Sequence, residues 1–178
     1  MLERNHFGGN WTEHKTSILE TYAKQFLTVF KNQPRQKLLY FDGFAGSGDI
    51  DIKEETDEEE SFRTIEGAAV KILKVDTPRA FDMYYFVEKN KGLAKSLKTK
   101  IDSEFPNKQC FIQASDCNEK IKGLSKFLRS QGGKTYKALG FIDPKGMQLE
   151  WSALESLKGL PIDLWILNPT SGANRLLA

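Results

Sequence analysis

No stretch of this sequence approaches the about 20 consecutive apolar residues that a membrane-crossing helix requires. The first ten residues carry charges and glycines where an export leader would need an apolar core, so a reducing cytoplasm is the expected compartment. Cysteine is scarce. Cys110 and Cys117 are the only two, too few for a disulfide framework or a structural zinc site, and no metal is expected. Internal repeats are absent, and low complexity is confined to one acidic run. What remains is a 178-residue chain with a hydrophobic fraction of 39%, which suits a single domain over residues 1–178 with one packed core.

Charge is balanced in total and uneven in distribution. The run DIDIKEETDEEE, residues 49–60, holds eight carboxylates and one lysine. It carries a net −7 and leaves +9 on the rest of a chain whose total is +2. A basic body is compatible with phosphate-rich partners such as nucleic acid. The bland reading, lysines solvating helix faces, is the stronger one on sequence grounds, because no dense patch forms. The acidic run itself reads as a surface insertion loop.

Periodicity gives the order of elements. Residues 12–31 read as a leading helix, with Ile18, Tyr22, Phe26 and Phe30 on one face, Leu19 and Val29 widening it, and Thr12 as its cap. KLLYF (37–41) is a short buried strand, and IEGAAVKILK (65–74) a second helix. Strands are then expected at 81–87, 109–113, 137–142 and 164–167. Between them, helices are marked by Leu93, Leu97 and Ile101, by Ile121, Leu124 and Leu128, and by Leu154 and Leu157. Short apolar strands alternating with helices predict an α/β fold, a doubly wound and mostly parallel sheet covered on both faces. An open sheet of this kind usually continues past a fifth strand, so an incomplete domain, or one finished by another chain, is expected.

In such sheets ligands sit beyond the carboxyl ends of the strands, where the strand order reverses. The first strand runs into Asp42-Gly43-Phe44-Ala45-Gly46-Ser47-Gly48. A phosphate-binding P-loop would place Lys and Ser or Thr after the last glycine, but Asp49 and Ile50 follow. A dinucleotide fingerprint would read G-x-G-x-x-G directly into a helix, and this order is G-x-x-G-x-G running into acids. A cofactor with a cation and no phosphate fits better. S-adenosylmethionine carries a sulfonium and an ammonium, and Asp42 at the strand end would attract them. The run resembles the D-P-F-A-G-S-G loop of amino-group methyltransferases, with Gly43 in place of proline.

Later strand ends supply further acids. Glu88, followed by Lys89, is placed to accept both ribose hydroxyls, although it lies 40 positions after Gly48 where about 20 is usual. Asp116 serves equally well as an acceptor for an adenine amino group or as a helix cap. Cys117 beside it reads as packing or pocket wall, having no histidine near in sequence to activate it. Asp143-Pro144 stands where amino-group methyltransferases carry Asp-Pro-Pro-Tyr, the acid orienting the target amine and the ring stacking on a base. Lys145 and Gly146 replace the second proline and the aromatic. Trp151 is one source of a ring, and Asn168-Pro169 a competing pair.

Together these residues resemble the three-Cys-motif partner proteins, a bacterial and phage-associated family with a methyltransferase-like fold. The resemblance rests on Trp11-Thr12-Glu13-His14-Lys15, on residues 40–48 (YFDGFAGSG), on Phe86-Val87-Glu88-Lys89, on Gly140-Phe141-Ile142-Asp143-Pro144 and on Asn174-Arg175-Leu176-Leu177. It implies a Rossmann-type sheet, S-adenosylmethionine as ligand, and a neighbouring protein with a three-cysteine motif as partner. It implies little about the methyl acceptor, and family members continue beyond this chain's last residue. Two functions follow as expectations: a methyltransferase acting on an amine, such as one carried by nucleic acid, or a binding module serving the neighbour. Lys15 and Trp11 read as surface and packing residues.

Overall fold

The computed structural model describes residues 5–54, 61–146 and 148–167. Asn168-Pro169 and Asn174–Leu177 lie outside them. The main sheet has five strands: β2 (Lys37–Asp42), β5 (Met83–Val87), β6 (Cys110–Gln113), β7 (Tyr136–Ile142) and β8 (Ile162–Ile166), in the order β6-β5-β2-β7-β8. Every pairing in it is parallel. The chain steps from β2 outward to β6, then returns to build β7 and β8 on the other side, so the order reverses between β2 and β7. That is the doubly wound α/β arrangement expected, with its switch point at the end of β2.

Strand alternation divides the core in two. Leu38 and Tyr40 of β2 face a core shared with α1 (Gly9–Val29), α2 (Ala68–Leu73) and α3 (Lys91–Glu104), through Leu19, Ala23, Leu27, Ile72, Leu97 and Ile101. Leu39 and Phe41 face a second core under α4 (Cys117–Arg129) and α5 (Trp151–Ser156), through Ile121, Leu124, Leu128, Ala153 and Leu157. A period-2 strand buried on both faces becomes apolar throughout, which is why β2 reads as an unbroken run. The expected faces of α3 and α4 are the buried ones.

Four expectations need correction. The leading helix starts at Gly9, so Thr12 lies inside it, buried, and does not cap it. Its buried stripe runs through Thr12, Thr16, Leu19, Ala23, Phe26 and Leu27, while Ile18 and Tyr22 stay about two-fifths exposed, at 42% and 40%. Large apolar residues signalled the wrong rotation because small and hydroxylated ones sit where the helix approaches its neighbours most closely. Tyr22 instead reaches sideways, stacking on Trp165 at 5.5 Å and donating to Asp163 at 3.3 Å.

The acidic run is not simply a loop. Asp49–Glu54 forms β3 and pairs antiparallel with β4 (Ser61–Glu66), and β1 (Asn5–Gly8) pairs parallel with β3. Residues expected to open the second helix therefore belong to β4, and α2 starts only at Ala68. Carboxylates that read as solvated are held locally: Asp51 is buried and accepts from Thr64 Oγ1 at 2.6 Å, and Asp49 pairs with Lys100 at 3.0 Å. The hairpin leaves and rejoins the main chain at two touching glycines. Gly67 N–H donates to the Gly48 carbonyl at 2.8 Å, and a Cβ at Gly67 would meet that oxygen at 3.0 Å. The excursion is thus pinched at its base, and the glycine loop runs on to α2 as a strand–loop–helix joint.

Candidate functional site

The carboxyl end of the main sheet gathers four acids in the order of its strands: Asp116 beyond β6, Glu88 beyond β5, Asp42 at the end of β2 and Asp143 beyond β7. Asp42 is fully buried. Its Oδ1 accepts the Phe44 N–H at 3.0 Å, and the Tyr40 hydroxyl lies 3.5 Å from Oδ2. Burial pushes its pKa from 3.8 to about 7; the Phe44 amide and Lys15 pull down, while Asp143 and Glu88 push up. Burial, and then the Asp42 carboxylate, hold the Tyr40 hydroxyl protonated well above a tyrosine's ordinary range.

The glycine loop is built around that acid. Gly43 N–H donates to the Phe141 carbonyl at 2.9 Å, a bond that proline, lacking the N–H, would forfeit. A Cβ at Gly43 would stand 2.5 Å from Cys117 Sγ and 3.0 Å from Ile142 Cδ1, so the loop lies directly on α4 and β7. Phe44 is half-buried, and Ala45 N–H donates to the Val87 carbonyl at 2.9 Å. Gly46 and Gly48 adopt φ of 66° and 90°, which glycine takes without strain. Gly46 N–H donates to Glu88 Oε2 at 3.0 Å while Asn90 N–H donates to Oε1 at 2.8 Å. Glu88 therefore ties the loop after β2 to the turn after β5. Each of its oxygens keeps a lone pair for a further donor.

Asp116 caps α4, accepting from Asn118 N–H at 2.9 Å, and pairs with the exposed Lys89 at 3.2 Å. Partial burial opposes its ionisation, yet the Asn118 amide and Lys89 hold its carboxyl below the usual range. The capping role is thus realised in the geometry. Cys117 packs in the second core against the glycine loop, and burial, with Asp42 and Asp116 nearby, pushes its thiol up to about 12. That thiol is no nucleophile.

Asp143 is engaged by the feature the sequence reading undervalued most. Lys15 of α1 donates to its Oδ2 across the rim, the two side chains 19% and 29% exposed. Lys15 occupies a position on the buried stripe of α1, between Thr12 and Leu19, and a lysine on such a stripe is the signal that could have identified it. Pro144 is buried beside Asp143. The segment that follows is held by a second overlooked residue, Asn118. Its Nδ2 donates to the Gln148 carbonyl at 2.9 Å, and its Oδ1 accepts the Glu150 N–H at 2.8 Å. Trp151 follows at the start of α5, 74% exposed.

The rim thus holds a fully buried acid, Asp42, whose ionisation Glu88 and Asp143 oppose and Lys15 favours. Such a site is short of positive charge and is suited to a cationic ligand. No group of three or more potential ligands placed to hold a metal occurs among the described residues, and none of their helices is long and apolar enough to cross a membrane.

No protein-family model matches the chain, and no curated protein sequence matches it. Among solved structures, protein LPL1258 of Legionella pneumophila, assigned to the family model DUF519, superposes with a TM-score of 0.57 at 14% identity, over 91% of this chain and 72% of that one. The similarity is one of fold. A second structure, yhhF of Escherichia coli, named as a candidate methyltransferase, gives a TM-score of 0.42 at 13% identity, over 82% of this chain and 63% of that one.

Proposed function

We propose that the chain binds S-adenosylmethionine across the ends of β2, β5 and β6 and directs its methyl group to an amine at Asp143. The observation that carries this reading is the fully buried Asp42, crowded by Glu88 and Asp143 and short of a cation. When bound, the cofactor would supply an electrophilic methyl group on a positively charged sulfur. Asp42 would face the cationic methionine end, in its ionised form. Gly46 takes its left-handed turn without strain, and Gly48, where a Cβ would press on Leu97 and Val70, seats the loop against α3 and α2. The free lone pairs of Glu88 suit the ribose hydroxyls, and those of Asp116 suit an adenine amino group, beside Lys89 and the Cys117 wall. Asp143 would accept a hydrogen bond from the acceptor amine and turn the nitrogen lone pair toward the cofactor, so catalysis is mostly positioning. Pro144 shapes that turn.

A second reading is favoured by one observation, the engagement of Asp143 by Lys15. In it the chain keeps the fold, with or without the cofactor, while serving a neighbour protein, as its resemblance to the three-Cys-motif partners would imply. Calorimetric titration with S-adenosylmethionine and with its demethylated product tests the cofactor; absence of heat at high protein concentration would sink the enzyme reading. Transfer of radiolabelled methyl to bulk RNA, DNA or protein separates them. Label in any acceptor supports the enzyme; cofactor binding with no transfer supports the module.

A further inference from the structure

An ion pair between two partly open side chains adds little to stability. A lysine on the buried stripe of a helix is unfavourable by comparison, since its charge has to be led out of the core to water or to an acid. Lys15 stands on such a stripe, between the buried Thr12 and Leu19, and ends on Asp143 Oδ2, with 19% and 29% of the two side chains exposed. Stability does not account for a lysine at this position. Its base is fixed from both sides. Thr16 beside it donates to the Thr12 carbonyl at 3.1 Å and accepts from Lys71 of α2 at 2.8 Å, and Glu13 pairs with Arg63 of β4 at 2.7 Å. Only the flexible four-carbon stem is left to move.

The ammonium at the end of that stem makes the contact assigned above to a methyl acceptor. It donates to Asp143 Oδ2, and its charge also acts on Asp42, the acid that would face the cationic end of the cofactor. One amine therefore lies within reach of both acids. An amine held in place by its own chain needs no encounter, and it reacts as though present at very high concentration. The lysine on the other side of the rim gives the contrast. Lys89 pairs with Asp116 at 3.2 Å but is 78% exposed, on the side where adenine would lie.

We propose that Lys15 is itself a methyl acceptor, so that the chain methylates its own Nζ at the rim. The proposal rests on the reading of the site as an S-adenosylmethionine-dependent methyltransferase with its acceptor amine at Asp143. An ammonium has no free lone pair. Lys15 first gives one proton to the Asp143 carboxylate, which is open enough to pass it to water. The freed pair on Nζ forms a bond to the methyl carbon as the carbon–sulfur bond breaks, and the electrons of that bond stay on sulfur, leaving a neutral thioether. Nζ emerges as a methylammonium, still charged and still able to donate to Asp143.

Incubation of the purified chain with S-adenosylmethionine bearing a deuterated methyl group, followed by intact-mass measurement and peptide mapping, is the test. Label is expected on Lys15 and not on Lys89. Its rate should be independent of protein concentration and should rise between about pH 7 and about pH 9, as the proton is lost more readily. K15R should carry no label at that position, because a guanidinium keeps its protons. D143N should slow labelling about a hundredfold while its calorimetric heat with S-adenosylmethionine persists. A second readout needs no cofactor. Acylation of amines in the unliganded protein should be slower at Lys15 than at Lys89, and D143N should remove part of that protection. Label spread over lysines in proportion to exposure, or label at Lys15 unchanged in D143N, would overturn the proposal. So would equal acylation of Lys15 and Lys89. Cofactor heat with no label on Lys15 would overturn it and leave cofactor binding standing. Label on added RNA, DNA or protein with none on Lys15 would overturn it and leave the enzyme reading intact. Absence of cofactor heat would remove the enzyme reading, and this proposal with it.

Discussion

The two sides of the rim are held by different means. On the β2–β5–β6 side each acid is met by backbone amides: Phe44 on Asp42, Gly46 and Asn90 on Glu88, Asn118 on Asp116. On the β7 side Asp143 is met by the long side chain of Lys15, from an element remote in sequence, and the segment beyond it by the side chain of Asn118. Backbone donors are fixed by the fold and cost little to keep in place; a lysine must be ordered, and it can let go. One side is thus built as a preset cradle and the other as a contact that can be exchanged. A cofactor on the preset side and a variable acceptor on the exchangeable side fit that difference.

The largest expected effect follows from removing the charge at the centre of the preset side. D42N should weaken S-adenosylmethionine binding by about a hundredfold in calorimetry, a charge-assisted contact in a buried setting being lost. The same variant should be more stable without ligand. Burial raises the pKa of Asp42 from 3.8 to about 7. Between those values the folded chain holds a proton that the unfolded chain has released. The stability this group contributes is therefore present in full below the unfolded value and is lost as pH rises through about 7. At about pH 8, D42N should gain up to about 4 kcal/mol over wild type in denaturant melts, and the pH dependence should flatten. Equal stability across pH would show that Asp42 is not strained, and the contrast between the two sides would lose its basis.

Next comes the seam where the glycine loop lies on α4. G43A places a Cβ 2.5 Å from Cys117 Sγ, so a cost of about 1–3 kcal/mol is expected in chemical denaturation. C117A in the G43A background should recover part of it. Independent, additive losses would mean that the two residues do not share that space. On the exchangeable side, N118A removes both bonds to the 148–150 segment and leaves the Glu150 N–H without its acceptor. A loss of about 1–2 kcal/mol is expected, with hydrogen exchange rising in residues 148–151 while the glycine loop stays protected. Loosening that spread to residues 43–48 would erase the distinction between the two sides.

The main sheet was legible because both its signals, alternation in β2 and helical spacing in α3 and α4, come from burial against a common core. The acids at the strand ends were legible for a related reason: topology alone puts the ends of parallel strands on one edge. What escaped depended on contacts between distant segments. Eight carboxylates in twelve positions look like a solvated loop, and nothing local reveals that β1 and β4 flank Asp49–Glu54. The face of α1 was misjudged because Ile18 and Tyr22 outweigh Thr12, Thr16 and Ala23 in hydrophobicity, though close helix packing favours the smaller residues. Lys15 and Asn118 act across 128 and 30–32 positions respectively; a local pattern marks Lys15 as unusual on its stripe, but names neither residue's partner.

Lys15 also gives the smallest predicted effect, and the one that bears most directly on how the two sides communicate. It pairs with Asp143 on one side, yet its charge lowers the pKa of Asp42 on the other. In K15M the length of the side chain is kept and the charge removed. Both partners are partly open to water, so stability should fall by less than about 1 kcal/mol. The protonation of Asp42 should respond more clearly. With the cation gone, its pKa rises further, and the pH at which S-adenosylmethionine affinity declines should move upward. Calorimetry should then show about a threefold to tenfold loss near neutral pH that is recovered at higher pH, since the binding carboxylate is ionised again there. A lysine that merely packs would alter affinity equally at every pH. A midpoint that does not move would leave Lys15 as a strut for α1, and the preset and exchangeable sides as neighbours without electrostatic coupling.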